Sequence, residues 1–208
     1  NTHVPVNDAS SIEATVVRTD GDMREAYPVR GPSRKGVGVR VVRKWSETRR
    51  MRITGGKLRS RRLVAPKGDA TRPTSDRVRE ALFSILGAHV VDADVLDLYA
   101  GTGALSFEAL SRGARSAVLV ERAREALAAI RANVLALDLA ANVRVVEGVA
   151  AAFVHACDAS ASFDLVFVDP PYRDTRSGVV TGILERLLAK ELLRTGGLLV
   201  LEHDGKDA

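Results

Sequence analysis

Asp169, Pro170, Pro171 and Tyr172 end an apolar run, FDLVFV over 163–168, with an acid, a rigid turn and an aromatic ring. Proline has no N–H and a fixed φ, so the pair stops a strand ladder and leaves the turn's carbonyls open to donors. The Asp169 carboxylate and the Pro170 carbonyl can accept both hydrogens of an exocyclic amine, and a planar ring at Tyr172 can stack on a base. The chemistry is the gripping of a nucleobase NH2; the alternative is a plain strand-ending turn.

A second group begins with VLDLYA and the turn Gly101-Thr102-Gly103, followed by the helical stretch ALSFEALSRG. Glycines allow close approach of the backbone to a ligand, and a helix start offers unpaired N–H groups. Ser106 takes the third glycine position of the dinucleotide fingerprint Gly-x-Gly-x-x-Gly, which favours a ligand without a pyrophosphate. Glu121 ends the next apolar run, AVLVE. An acid there suits the two hydroxyls of a ribose; otherwise it is a surface salt-bridging glutamate.

The third group is basic. Arg34–Arg79 holds 16 Lys or Arg against 3 acids, a local balance of +13 in a chain of formal net charge +5, so the rest of the chain carries −8. Arg52, Lys57, Arg59, Arg61 and Arg62 surround a Gly55-Gly56 hairpin signal, and Arg72, Arg77 and Arg79 line a proline-containing loop leading into a helix. Such an arm on a mildly acidic body fits a polyanion partner. For residues 34–50 a solvated tail is the equal alternative, and the three loop arginines are either ligand or RNA contacts or plain surface charge. Against metal chemistry, His3, His89, His155 and His203 are scattered and the single Cys157 has no partner for zinc or a disulfide. No apolar run is long enough to span a bilayer, so the expected compartment is the cytoplasm.

These groups need elements to position them. FDLVFV is too apolar for a wet face and reads as a strand buried on both sides. Strands ending near Ala100, Glu121, Val146 and Val168, with a last one over LLVLEH, alternate with helices over 78–86, 104–113, 122–137 and 177–193. Five strands alternating with helices at short spacing indicate an α/β fold, a doubly wound, Rossmann-like parallel sheet. Residues 51–70 read as a small basic β-hairpin, and residues 1–50, lacking a sustained period, as a mostly disordered extension. Met51 directly precedes the first patterned segment, giving the expectation that the working protein starts there.

DLYAGTGAL, Glu121 and DPPY together resemble the class I S-adenosylmethionine-dependent methyltransferases of exocyclic amines. RITGGKLRSRRL, TRPTSDRVREALFSIL and DLYAGTGALSFEALSRGA are similar, more narrowly, to the RsmD family, which methylates a guanine N2 in 16S ribosomal RNA. The resemblance runs from about Met51 to the end and implies S-adenosylmethionine as cofactor, with Asp97, Tyr99, Gly101 and Gly103 at its methionine end and Glu121 on its ribose. It implies that Asp169, Pro170, Pro171 and Tyr172 hold the flipped guanine. The partner would be 16S rRNA or a precursor of the small ribosomal subunit, met by a monomer without metal. Two departures are visible. Val149 stands where many members bind the adenine amine through Asp or Asn, with Glu147 two residues earlier as a cofactor-side candidate and backbone groups as the alternative for that amine. The chain also stops at EHDGKDA, so the family's further edge strands are expected to be missing. The alternatives are a nonenzymatic RNA-binding or ribosome-assembly module and an amino-methyltransferase of another base, such as adenine N6.

Overall fold

The computed structural model describes residues 12–18, 39–42, 51–65, 76–158, 160–171, 174 and 177–204, the first two segments and residues 203–204 as backbone only. Its centre is a seven-stranded sheet of order β2-β1-β7-β6-β3-β4-β5. The strands are β1 (Ile12–Arg18), β2 (Val39–Val42), β3 (Asp94–Asp97), β4 (Ser116–Glu121), β5 (Val143–Glu147), β6 (Phe163–Val168) and β7 (Leu193–Asp204). β3 to β7 run parallel, while β1 is antiparallel to both β7 and β2. The helices are α1 (Asp76–Leu86), α2 (Ala104–Ser111), α3 (Arg124–Leu137), α4 (Ala150–Ala156) and α5 (Val179–Ala189).

Successive strand residues point to opposite faces, so each strand feeds two cores. Val95, Leu119, Leu165, Phe167, Leu198 and Val200 pack with α1, α2 and α3 through Phe83, Phe107, Leu110 and Ile130. Their neighbours Leu96, Val120, Val166, Val168 and Leu199 pack with α4 and α5 through Val154, Val180, Ile183 and Leu187. Sheet and helix layers meet, for example, at Phe83 and Phe167, whose ring centroids lie 6.0 Å apart at 54°. Burial of side chains this size contributes about 1.5–3 kcal/mol each.

The five parallel strands and their order agree with the reading of the sequence. Four expectations are corrected. The strands β1 and β2 fall in the segment expected to be disordered, and they cover the edge of β7 where the sheet was expected to lack strands. The basic hairpin is not a strand pair; one antiparallel bridge, Arg52 to Arg62, closes a knuckle of turns. Helix α4 has no counterpart in the sequence reading, because its Ala-rich run is short. Finally, α5 stops at Ala189 and Leu193 already belongs to β7, since the positive φ of Glu191 (55°) turns the chain.

Candidate active site

All five parallel strands carry an acid at or near the carboxyl end: Asp97, Glu121, Glu147, Asp169 and Glu202. Pairing sets their spacing, with Asp97 beside Leu119 and Phe167, Glu121 beside Glu147, and Val168 beside Leu201. Open α/β sheets bind ligands at this end.

Asp97 is buried, 1% exposed. Ser106 Oγ donates to its Oδ2 at 2.8 Å, whereas Oδ1 is buried without a well-formed hydrogen bond. Burial pushes the Asp97 carboxyl up to about 7, and the neighbouring charges of Asp169 and Glu121 push the same way. Two residues on, Tyr99 is partly buried, and burial followed by Asp174 raises its phenol. Glu121 accepts three main-chain N–H groups, from Gly101 to Oε2 at 2.8 Å and from Arg122 and Ala123 to Oε1, both at 2.8 Å. A carboxylate offers about four lone-pair sites, so Oε2 retains one for a hydroxyl.

Between these acids lies the glycine turn. Gly103 adopts φ 78°, and an added Cβ would sit 2.5 Å from the Phe107 ring and 2.9 Å from Leu119; the position admits only glycine. Gly101 adopts φ 55°, and no atom lies within 4 Å of its added Cβ, so it faces open space. A buried carboxyl oxygen lacking a donor, an acid with a spare lone pair and a glycine facing open space make a cradle for a cationic, hydroxyl-bearing ligand.

On the next strands, Asp169 is mostly shielded, Pro170 is buried and Pro171 is exposed. The side chains of Asp169 and Glu202 lie within hydrogen-bonding reach of each other. Burial raises both carboxyls, and the Asp169 charge raises Glu202 further. Tyr172 lies outside the described residues, as does Arg72. Glu147 stands in register with Glu121 at the end of β5, where it is exposed and pairs with Arg131 at 3.2 Å.

The basic knuckle docks on α2. Lys57 N donates to Ser111 O at 2.7 Å, and Ser111 Oγ accepts from Leu58 N at 2.9 Å. The approach is so close that a Cβ on Gly56 would lie 1.9 Å from Ser111 O. Glu108, wholly buried, accepts from Thr54 N at 2.7 Å, Thr54 Oγ1 at 2.7 Å, Gly55 N at 2.8 Å and Arg112 Nε at 2.7 Å. Arg52, Lys57, Arg59, Arg61, Arg62 and Arg77 are exposed, with Arg52 paired to Asp76 and Arg61 bonded to Ala136 O. Arg79 is the exception: it is 0% exposed and donates to Arg52 O and Asp76. It therefore holds the knuckle from inside and cannot meet RNA, which corrects the expectation from its loop.

The knuckle is tied to the glycine turn as well. Thr102 Oγ1 donates to Met51 Sδ at 3.3 Å, and the buried Asn133 bridges Val64 O at 3.0 Å and Thr102 O at 3.2 Å. Glu108, Asn133 and Glu202 escape the sequence reading, as does the bond from Ser106 to Asp97. Glu108 carries a signal, an acid between Phe107 and Ala109 on a helix with almost no polar face. Among the described residues no cluster of His, Cys, Asp and Glu could hold a metal, and no helix is long and apolar enough to cross a membrane.

Residues 51–208 match the family described as Conserved hypothetical protein 95. Ribosomal RNA small subunit methyltransferase D of Escherichia coli (strain K12) is 41% identical over 152 residues, covering 73% of this chain and 71% of that protein. YlbH of Bacillus subtilis (strain 168), named as an rRNA methyltransferase, is 33% identical over 155 residues, covering 74% of this chain and 83% of that protein. The solved structure of yhhF from Escherichia coli, described as a methyltransferase, superposes with a TM-score of 0.68 at 38% identity, over 76% of this chain and 83% of that one.

Proposed function

The chain belongs to the family described as Conserved hypothetical protein 95, the RsmD family, and on that premise we propose that it methylates the exocyclic N2 amine of a guanine in small-subunit ribosomal RNA, with S-adenosylmethionine as methyl donor. The observation that carries the reading is the convergence of the cradle at Asp97, Gly101 and Glu121 with Asp169 and the two prolines on neighbouring strand ends. When bound, the cofactor supplies a methyl group on a cationic sulfur, which leaves with the bonding electron pair as a neutral thioether.

The protein's own residues have three tasks. Asp97 offers the unpartnered Oδ1 to the cationic methionine end, beside Tyr99, and the open space at Gly101 admits the ligand against the main chain. Glu121 offers its remaining lone pair to the ribose. The exposed Val149 gives the adenine an apolar neighbour where other members use an amide or acid, and leaves its amine to backbone groups. On the substrate side, Asp169 and the Pro170 carbonyl accept the amine's two hydrogens, which directs its lone pair forward, and Tyr172 stacks on the base. Holding two reactants in line supplies up to about 7–11 kcal/mol of the barrier, and acceptors aimed at the nitrogen stabilise the charge that develops there. Asp169 takes the surplus proton.

The exposed knuckle, with Arg52, Lys57, Arg59, Arg61, Arg62 and Arg77, follows the phosphates of the 16S rRNA or of a precursor subunit in the cytoplasm. The test is transfer of a labelled methyl group to ribosomal RNA from a strain lacking the family's enzyme, followed by mass mapping of the nucleoside. N2-methylguanine supports the reading; binding of the RNA without S-adenosylmethionine affinity indicates a nonenzymatic module, and N6-methyladenine a different base.

A further inference from the structure

Glu202 belongs to none of the groups that the sequence marks for chemistry, yet it stands beside Asp169. Val168 pairs with Leu201, so the next residues of the two parallel strands, Asp169 and Glu202, project side by side from the sheet's carboxyl edge. Both are partly shielded, and the register brings their carboxyls within hydrogen-bonding reach of each other. Two carboxylates in contact cannot both stay ionised away from water; the arrangement requires one proton between them.

We propose that Glu202 is the positioning residue of the amine site: as a carboxylic acid it donates to one oxygen of Asp169 and leaves the other as the anionic acceptor for the substrate's amine. The inference rests on the reading of Asp169 as the residue that receives the amine. Glu202 is the natural holder of the proton, because burial and the facing Asp169 charge both raise its carboxyl, whereas its own hydrogen bond lowers that of Asp169. Other groups around the pair are Asp97 and Glu121 at the ends of β3 and β4, Tyr99 beyond β3, and Asp174 and Arg122 near Tyr99. Along β1, Ala14 stands opposite Glu202 and Glu13 opposite His203. Of these, the Asp97 carboxyl interacts with the Asp169 charge, which raises the cost of a second negative charge on the pair.

The consequence for the reaction is a defined proton inventory. Before transfer the pair holds one proton and one negative charge. As the amine nitrogen bonds to the methyl carbon and the sulfur retains the electrons of the broken bond, the nitrogen's surplus proton passes to the free Asp169 oxygen. The pair is then neutral with two protons and returns one to solvent. Without the Glu202 donor, the shielded Asp169 would itself be protonated at neutral pH and could accept only poorly from the amine.

Two variants separate this role from a structural one. Glu202→Gln keeps a donor toward Asp169 but does not titrate; Glu202→Ala removes the donor. In cofactor-free protein, the carboxyl 13C midpoint of Asp169 should stay within a few tenths of a unit in E202Q. In E202A it should rise by about one to two pH units, the equivalent of one charge-assisted hydrogen bond. The acid limb of the kcat profile on ribosomal RNA should move with it, lowering kcat at pH 7 by up to about 10-fold with the KM for cofactor unchanged. An Asp169 midpoint unmoved in E202A, or a Gln variant that behaves like Ala, overturns the proposal. Should E202A not fold, the wild-type titration decides alone, because two midpoints in the ordinary carboxylate range refute the shared proton. If the midpoints move as expected but no form of the chain transfers a methyl group, the pair stands and the reading of the function fails. If the wild type is active and neither the midpoint nor the limb moves, the role of Glu202 fails and the function stands.

Discussion

Replacing Glu108 by Gln should loosen the basic knuckle without touching the strand-end acids. The carboxylate is wholly buried and collects four hydrogen bonds, two of them from Thr54 and one each from Gly55 and Arg112, with the buried Arg79 Nε 4.0 Å away. An amide keeps the shape but turns one acceptor into a donor that faces N–H or O–H groups, and it removes the charge that balances Arg79 and Arg112. Breaking a buried, hydrogen-bonded charge cluster costs about 3–5 kcal/mol, a large part of a total stability of about 5–15 kcal/mol. For a chain of this size that corresponds to a fall in Tm of roughly 6–20 °C. The assay is thermal unfolding together with RNA affinity over a salt series and S-adenosylmethionine calorimetry. The expected outcome is a lower Tm and weaker RNA binding, with the cofactor affinity within about twofold of wild type at a temperature where the variant is folded. A Tm within about 2 °C of wild type (about 0.5–1 kcal/mol) would refute the view that this one side chain clamps the knuckle.

Other outcomes follow from the same geometry. Gly101→Ala should lose cofactor affinity, since its Cβ points into the open space, with a modest loss of stability from φ 55°, whereas Gly103→Ala should lose more stability, since its Cβ also meets Phe107 at 2.5 Å; calorimetry and melting distinguish the two. Replacing Arg59 and Arg62 should flatten the salt dependence of RNA binding by about 0.7–0.9 in slope for each phosphate that is no longer neutralised, and an unchanged slope argues against the knuckle as the RNA face. On pH, burial holds the Asp97 carboxyl at about 7 in the folded chain against an ordinary 3.8. The folded state thus keeps a proton that the unfolded state releases, and this contribution to stability is full below pH about 4 and is lost as pH rises through about 7. Asp94 acts in reverse: hydrogen bonding from Arg115, aided by Ser116 and Arg194, holds it far below the usual carboxylate range, so its contribution is lost on acidification below that range. A Tm series should fall between about pH 4 and 7 as that proton is lost, and Asp97→Asn should reduce that slope.

Much of this is legible in the chain because the signals are local. FDLVFV is apolar on both faces and becomes the buried β6, and the Gly101-Thr102-Gly103 turn sits where a strand gives way to a helix. What escapes depends on neighbours distant in sequence. Glu108 and Thr54 are 54 residues apart, and nothing near Arg79 shows that it points inward to Asp76 and the main chain of Arg52. Glu202 looks like the tail of a strand until the register of β6 and β7 sets it beside Asp169. Gly55 and Gly56 suggest a hairpin turn, a local role; their actual requirement is the close approach to Ser111 and Arg112. The strands at 12–18 and 39–42 have Asp20-Gly21 and Gly36-Val37-Gly38 beside them, but nothing local says which edge they join; the pairing of β1 with β7 and of β2 with β1 does.

The most direct test compares wild type with Asp169→Ala for methyl transfer to unmethylated small-subunit ribosomal RNA, with S-adenosylmethionine binding measured on both. The account predicts N2-methylguanine formed by the wild type, no transfer by the variant, and cofactor affinity the same within about twofold, since the acid serves the base and not the cofactor. Methylation retained by Asp169→Ala would contradict it.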